Sequence, residues 1–109
     1  MAAASSQADF NDETSLAAFA ESVDVVTYEF ENVPARTAQV LEAHRPVRPN
    51  PRALALTQDR LIEKQFVQSL GIATADFVPV DNAGALARAV AQLGRNSILK
   101  TRRLGYDGK

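Results

Sequence analysis

Cysteine is absent from this 109-residue sequence, and histidine occurs once, at His44. The first absence removes disulfide frameworks, thiol nucleophiles and thiolate zinc sites. The second leaves no imidazole cluster, so any metal would be held by oxygen atoms. No apolar run approaches the roughly 20 residues that cross a bilayer. The start, Met1-Ala2-Ala3-Ala4-Ser5-Ser6, lacks the basic and apolar regions of a secretory signal, so the expected location is cytoplasmic and no membrane partner is expected. Lysine and arginine are missing from the first 35 residues, which carry seven acids, whereas residues 95–109 hold five bases and one acid. A net charge of −1 therefore hides a basic end suited to anions. Apart from Tyr106, no aromatic residue lies among those bases. No nucleic acid is expected, and a small phosphorylated ligand fits better.

What is present is ordinary for a soluble globular chain, with 46% apolar and 23% charged residues. Leu16, Phe19, Ala20 and Val23 repeat at helical spacing after the cap region Asn11-Asp12-Glu13-Thr14, and Val25-Val26-Thr27-Tyr28-Glu29-Phe30 reads as a buried strand. Asn32-Val33-Pro34 starts a helix from Ala35 to about His44, which Pro46 stops; His44 is expected to be only a helix-end residue. Val47-Arg48-Pro49 is extended. Asn50-Pro51 opens a short helix through Leu56, and Thr57-Gln58-Asp59 opens a stronger one with Ile62, Phe66 and Leu70 on one face, ended by Gly71. Asp76-Phe77-Val78-Pro79-Val80 reads as an edge strand. Asp81 is expected to cap a helix with Leu86, Ala89, Val90 and Leu93 inward, closed by Gly94 before a last strand.

The composition changes near residues 46–52, which places an expected domain junction there, with one domain over 1–50 and the next over 51–109. A helix feeding one strand, with no partner strand before it, cannot bury both faces of a sheet. The chain is therefore expected to be a segment of a larger α/β protein.

The chemistry-bearing residues gather at the end. Ile98-Leu99-Lys100-Thr101-Arg102-Arg103 leads into Leu104-Gly105-Tyr106-Asp107-Gly108-Lys109. Glycines admit a close backbone approach to an oxyanion, and a lysine leaving a strand supplies a compact positive charge. The same pattern also suits an ordinary hairpin with a solvated edge. Arg60, in the first turn of its helix, can offer a planar fork to phosphate oxygens or simply pair with Glu63 one turn on. Glu29 and Glu31, two apart, share a face at or beyond the carboxyl end of a strand, where α/β proteins bind ligands, or are solvated there. Asp107 is either a proton acceptor or a turn residue that bonds its own backbone.

Three stretches together, Asp24 to Pro34, Gln58 to Lys64 and Leu99 to Lys109, resemble the N5-carboxyaminoimidazole ribonucleotide synthase family of the ATP-grasp superfamily. The resemblance implies an α/β fold in which the end of a Rossmann-like pre-ATP-grasp domain joins the start of an ATP-grasp domain. It implies a carbon–nitrogen ligase of purine biosynthesis that uses ATP and Mg2+ to activate bicarbonate as carboxyphosphate and carboxylates 5-aminoimidazole ribonucleotide. By the same resemblance, Arg60, Lys100, Gly105, Tyr106, Asp107, Gly108 and Lys109 would bind ATP. Glu29, Tyr106 and Asp107 would bind the aminoimidazole substrate, with Asp107 as the catalytic proton carrier; Glu31 joins them only as the residue that shares Glu29's strand face, and of the two glutamates Glu29 is the stronger choice. The metal ligands would lie outside this segment, the parent would be a homodimer, and the segment alone would not catalyse. The alternatives are another ATP-grasp ligase, formate-dependent or biotin-carboxylase-like, and a non-catalytic anion-binding module.

Overall fold

The computed structural model describes residues 3–105, which form two compact units meeting between Gln58 and Asp59. Five helices account for the regular structure: α1 (Glu13–Glu21), α2 (Ala35–Glu42), α3 (Pro51–Thr57), α4 (Arg60–Ser69) and α5 (Ala83–Leu93). The units meet one short helix later than the composition change at 46–52, because α3 packs on α2.

In the first unit each helix start follows from local chemistry. Asp12 caps α1, its carboxylate accepting from the Ser15 amide at 3.1 Å and the Ser15 hydroxyl at 2.7 Å. Pro34 stands at the N-cap of α2 and makes no side-chain cap bond. Asn50 caps α3, accepting from the Ala53 amide at 2.9 Å, with Pro51 in the first turn where a missing N–H costs nothing. The expected strand is reduced to one parallel bridge, Val26 to Val47, in which the Val26 amide donates to Pro46 at 2.9 Å and the Arg48 amide to Val26 at 2.9 Å.

Ala20, Val26, Leu41 and Val47 bury their side chains together on that bridge, with Leu16, Val23 and Tyr28 packed around them. Leu54 is also fully buried. The buried Thr37 hydroxyl donates to the Phe10 carbonyl at 2.7 Å, and Arg45 Nε donates to Val23 at 3.0 Å, so the segments flanking α1 are tied down by hydrogen bonds as well.

The second unit has the same capping logic with little core. Asp59 caps α4 through the Leu61 and Ile62 amides, and Gly71, at φ 76°, supplies the left-handed residue that ends it. Ile62, Phe66 and Leu70 share a face as the spacing requires, yet no residue of α4 is buried and the described residues of α4 and α5 do not pack together. Asn82 rather than Asp81 caps α5: its side chain accepts from the Ala85 amide at 2.9 Å, the third position of the helix, which Asp81 stands one residue too early to reach. Gly94 ends α5 at φ 85°. Asp76 to Val80 and Ile98 to Lys100 form no ladder among the described residues, since an extended segment becomes a strand only by pairing.

Candidate functional site

Arg60 is the first residue of α4, so its side chain leaves the helix near the Asp59 cap. Its Nη1 donates to the Thr101 carbonyl at 2.9 Å, and its Nη2 donates to the Gly105 carbonyl. Its backbone amide, one of the helix's unpaired starting donors, goes to the Arg102 carbonyl at 3.0 Å. No ion pair with Glu63 forms, and the guanidinium grips the basic turn itself.

The turn is shaped to be gripped. Leu104 has φ 59°, a left-handed conformation that costs a non-glycine residue about 1–2 kcal/mol. Gly105 follows with no room for a side chain: an added Cβ would lie 2.6 Å from Thr101 Oγ1 and 3.2 Å from Arg60 Nη1. Arg102 pairs with Asp81, the acid released from the capping role. Both partners are substantially exposed, so the pair contributes less than about 1 kcal/mol. Lys100 is exposed immediately before the turn and makes no ion pair among the described residues. The Arg60 guanidinium therefore reaches the short segment that Lys100 begins. Tyr106, Asp107, Gly108 and Lys109 lie outside the described residues.

Glu29 and Glu31 both sit exposed in the first unit, beyond the Val26 bridge. The backbone there is held by Gln58, whose side-chain amide donates to the Glu31 carbonyl at 2.7 Å and the Val33 carbonyl at 2.5 Å. Gln58 stands just before the Asp59 cap, and its partners are backbone carbonyls that no residue type announces. The Tyr28 hydroxyl donates to the Asn50 carbonyl at 3.4 Å; burial, and then the nearby Glu31 charge, push its pKa above the ordinary 10.0. An open pocket of about 230 Å3 lies among α1, α2 and the Val26–Tyr28 segment, lined mainly by apolar groups such as Phe10, Leu16, Phe19 and Val33, and neither glutamate lines it. No cluster of three or more His, Asp or Glu side chains able to hold a metal occurs among the described residues. No helix among them is long and apolar enough to cross a membrane.

Residues 1–58 match the ribonucleotide synthetase preATP-grasp domain. The chain belongs to the ribonucleotide synthetase preATP-grasp family. Residues 65–109 match the ATP-grasp domain, so this family member spans the junction between the two folds, in agreement with the fold class read from the sequence. It is 46% identical over 103 residues to the N5-carboxyaminoimidazole ribonucleotide synthase of Pseudomonas aeruginosa, covering 94% of this chain and 29% of that protein. It is 49% identical over 102 residues to the synthase of the same name from Brucella melitensis, covering 94% and 28%. Among solved structures, the Staphylococcus aureus N5-carboxyaminoimidazole synthetase complexed with ADP superimposes with a TM-score of 0.87 at 38% identity, over 94% of this chain and 28% of that one. The chain thus spans less than a third of the length of the relatives it matches.

Proposed function

We propose that the chain serves an ATP-dependent carbon–nitrogen ligase that carboxylates 5-aminoimidazole ribonucleotide with bicarbonate, giving N5-carboxyaminoimidazole ribonucleotide, ADP and phosphate. The observation that carries the reading is the meeting of Arg60 with the Lys100–Gly105 turn, in a chain similar on both sides of the domain junction to synthases of that name. The ADP held by the Staphylococcus aureus relative supports a nucleotide as the ligand of the second unit.

The chemistry requires cations at this point. Bicarbonate is a poor electrophile, and attack of its oxygen on the γ-phosphorus of ATP makes carboxyphosphate and releases ADP. Negative charge accumulates on the transferring phosphoryl oxygens, and fixed cations stabilise it. Lys100 supplies a point charge, and Arg60 supplies donors held at the turn. The amine of the aminoimidazole then attacks the carboxyl carbon, phosphate leaves, and the amine proton passes to a base, the role proposed for Asp107. Glu29 and Glu31, with Tyr106, would hold the ribonucleotide. Mg2+ would accompany ATP through ligands outside the described residues.

The test is a chimera in which the matched residues of this chain replace their counterparts in the Pseudomonas aeruginosa synthase. ADP release that requires both 5-aminoimidazole ribonucleotide and bicarbonate supports the proposal. Release that requires formate or biotin instead, or no release from a folded chimera, rejects it. In that chimera Asp107→Asn is expected to leave ADP affinity within about threefold while lowering turnover by about 100-fold or more, the range for loss of a general base.

A further inference from the structure

Arg60 has five N–H donors on its side chain, and two of them are spent on the Thr101 and Gly105 carbonyls, leaving three without a protein acceptor among the described residues. From this geometry we infer that Arg60 is a positioning residue, which shapes the Lys100–Gly105 turn before any anion arrives and then joins that turn to a phosphoryl oxygen through its remaining donors. Its role in the turn stands apart from the proposed activity; its link to phosphate rests on that proposal.

Four features converge on the first role. The two carbonyls lie 41 and 45 residues away in sequence, so the bonds fix a long-range closure and are not local helix chemistry. The Arg60 backbone amide holds Arg102 from the same side. Leu104 keeps a conformation that a leucine adopts only when its surroundings impose it. Gly105 is the residue whose carbonyl is gripped and also the one with no space for a Cβ, because Thr101 Oγ1 and Arg60 Nη1 fill it. Remove the planar fork and nothing else among the described side chains spans Thr101 and Gly105.

The consequence for function is coupling. A bare phosphate ligand gains nothing from the state of the turn, whereas a guanidinium shared between carbonyls and phosphate makes anion binding and turn order support each other. Lysine in place of Arg60 separates the two roles, since an ammonium keeps the charge but has no fork to bridge two carbonyls.

The experiment uses the whole 109-residue chain without nucleotide. Trypsin cleavage after Arg102 and Arg103 is measured against cleavage after Arg36 in the other unit. Loss of two charge-assisted bonds is expected to raise that ratio by about tenfold or more in both Arg60→Lys and Arg60→Ala. Gly105→Ala, which leaves Arg60 intact, is expected to raise it similarly, and adding Thr101→Ala to recover part of the protection. An unchanged ratio in the Arg60 variants overturns the inference. Should a variant unfold and speed all cleavages alike, nitrogen-15 spectra of the unsubstituted chain decide: slowly rotating, resolved Arg60 Nη groups support the grip, and freely rotating ones overturn it. Unchanged cleavage together with lost ADP affinity in the chimera would leave Arg60 a phosphate ligand only, sinking this inference and not the proposed function. Altered cleavage in a chimera that never binds ADP would do the reverse.

Discussion

In the unit ending at Gln58, buried side chains meet around the Val26–Val47 bridge, and Leu54 and Val47 are fully enclosed. In the unit beginning at Asp59, Ala89 is the one buried hydrophobic residue described, and Ile98, Leu99 and Leu104 stand well exposed. What organises that second unit is polar: Arg60 on two carbonyls, Arg102 on Asp81, and Lys64, whose Nζ lies 5.1 Å from the centre of the Phe77 ring and 3.4 Å from the Ala75 carbonyl. The contrast separates two ways of fixing a chain. A packed core resists change by volume, so its sensitivity follows the size of what is removed. A gripped turn resists by donor geometry, so its sensitivity follows which atoms donate, and a substitution that preserves charge but not shape still breaks it.

The largest effect expected from this contrast lies in the core. Leu54→Ala should lower the unfolding free energy of the first unit by about 2–5 kcal/mol, read by native-state hydrogen exchange, while Ile98→Ala, at a position 82% exposed, should change the second by less than about 0.5 kcal/mol. Equal losses at the two positions would remove the distinction between the units. A smaller effect distinguishes neighbours: Asn82→Ala should destabilise α5 by about 1 kcal/mol, and Asp81→Ala should leave that helix unchanged while freeing Arg102. The reverse order would restore Asp81 as the cap. Smaller still, Arg36→Ala removes a bond to Glu13 whose partners are 67% and 56% exposed, and should cost at most about 1 kcal/mol in the same exchange measurement.

The pH dependence sharpens the contrast from the other side, because both resolved shifts fall in the first unit. The Ser15 hydroxyl, and after it the Ser15 amide, hold the Asp12 carboxyl below its ordinary value of 3.8. That capping contribution is complete above the ordinary value and is lost as pH falls through the lower folded one. Tyr28 moves the other way. Its stability contribution is complete below pH 10.0 and is lost as pH rises through the raised folded value. A pH titration of hydrogen exchange in Asp12→Asn and Tyr28→Phe should flatten the acid and alkaline limbs respectively; retention of either limb in its variant would reject that assignment.

Helix starts were legible in the sequence where a short polar side chain precedes the helix, as at Asp12, Asn50 and Asp59, because a cap is a bond between residues two or three apart. Helix ends at Gly71 and Gly94 were legible for an equally local reason. Between adjacent candidates the reading failed: Asp81 and Asn82 have similar cap chemistry, and an arginine 21 residues away takes the first. The strands were legible as extended, apolar segments but not as paired ones, since pairing is a property of two segments. Arg60 was legible as a cation at the start of its helix and Lys100 as one at the end of an extended segment, whereas the carbonyls that Arg60 holds carry no side-chain signature and could not be read from residue types. Gln58 escaped for the same reason, its partners being the carbonyls of Glu31 and Val33.

The claim on which the functional account stands is that the basic turn receives the polyphosphate of a nucleotide. Calorimetric titration of ADP into the chimera, with and without Lys100→Ala, tests it most directly. Because Lys100 is exposed, its loss should leave the unfolding free energy within about 0.5 kcal/mol, yet weaken ADP binding by about 10–100-fold. Unchanged ADP affinity in the folded variant would contradict the account.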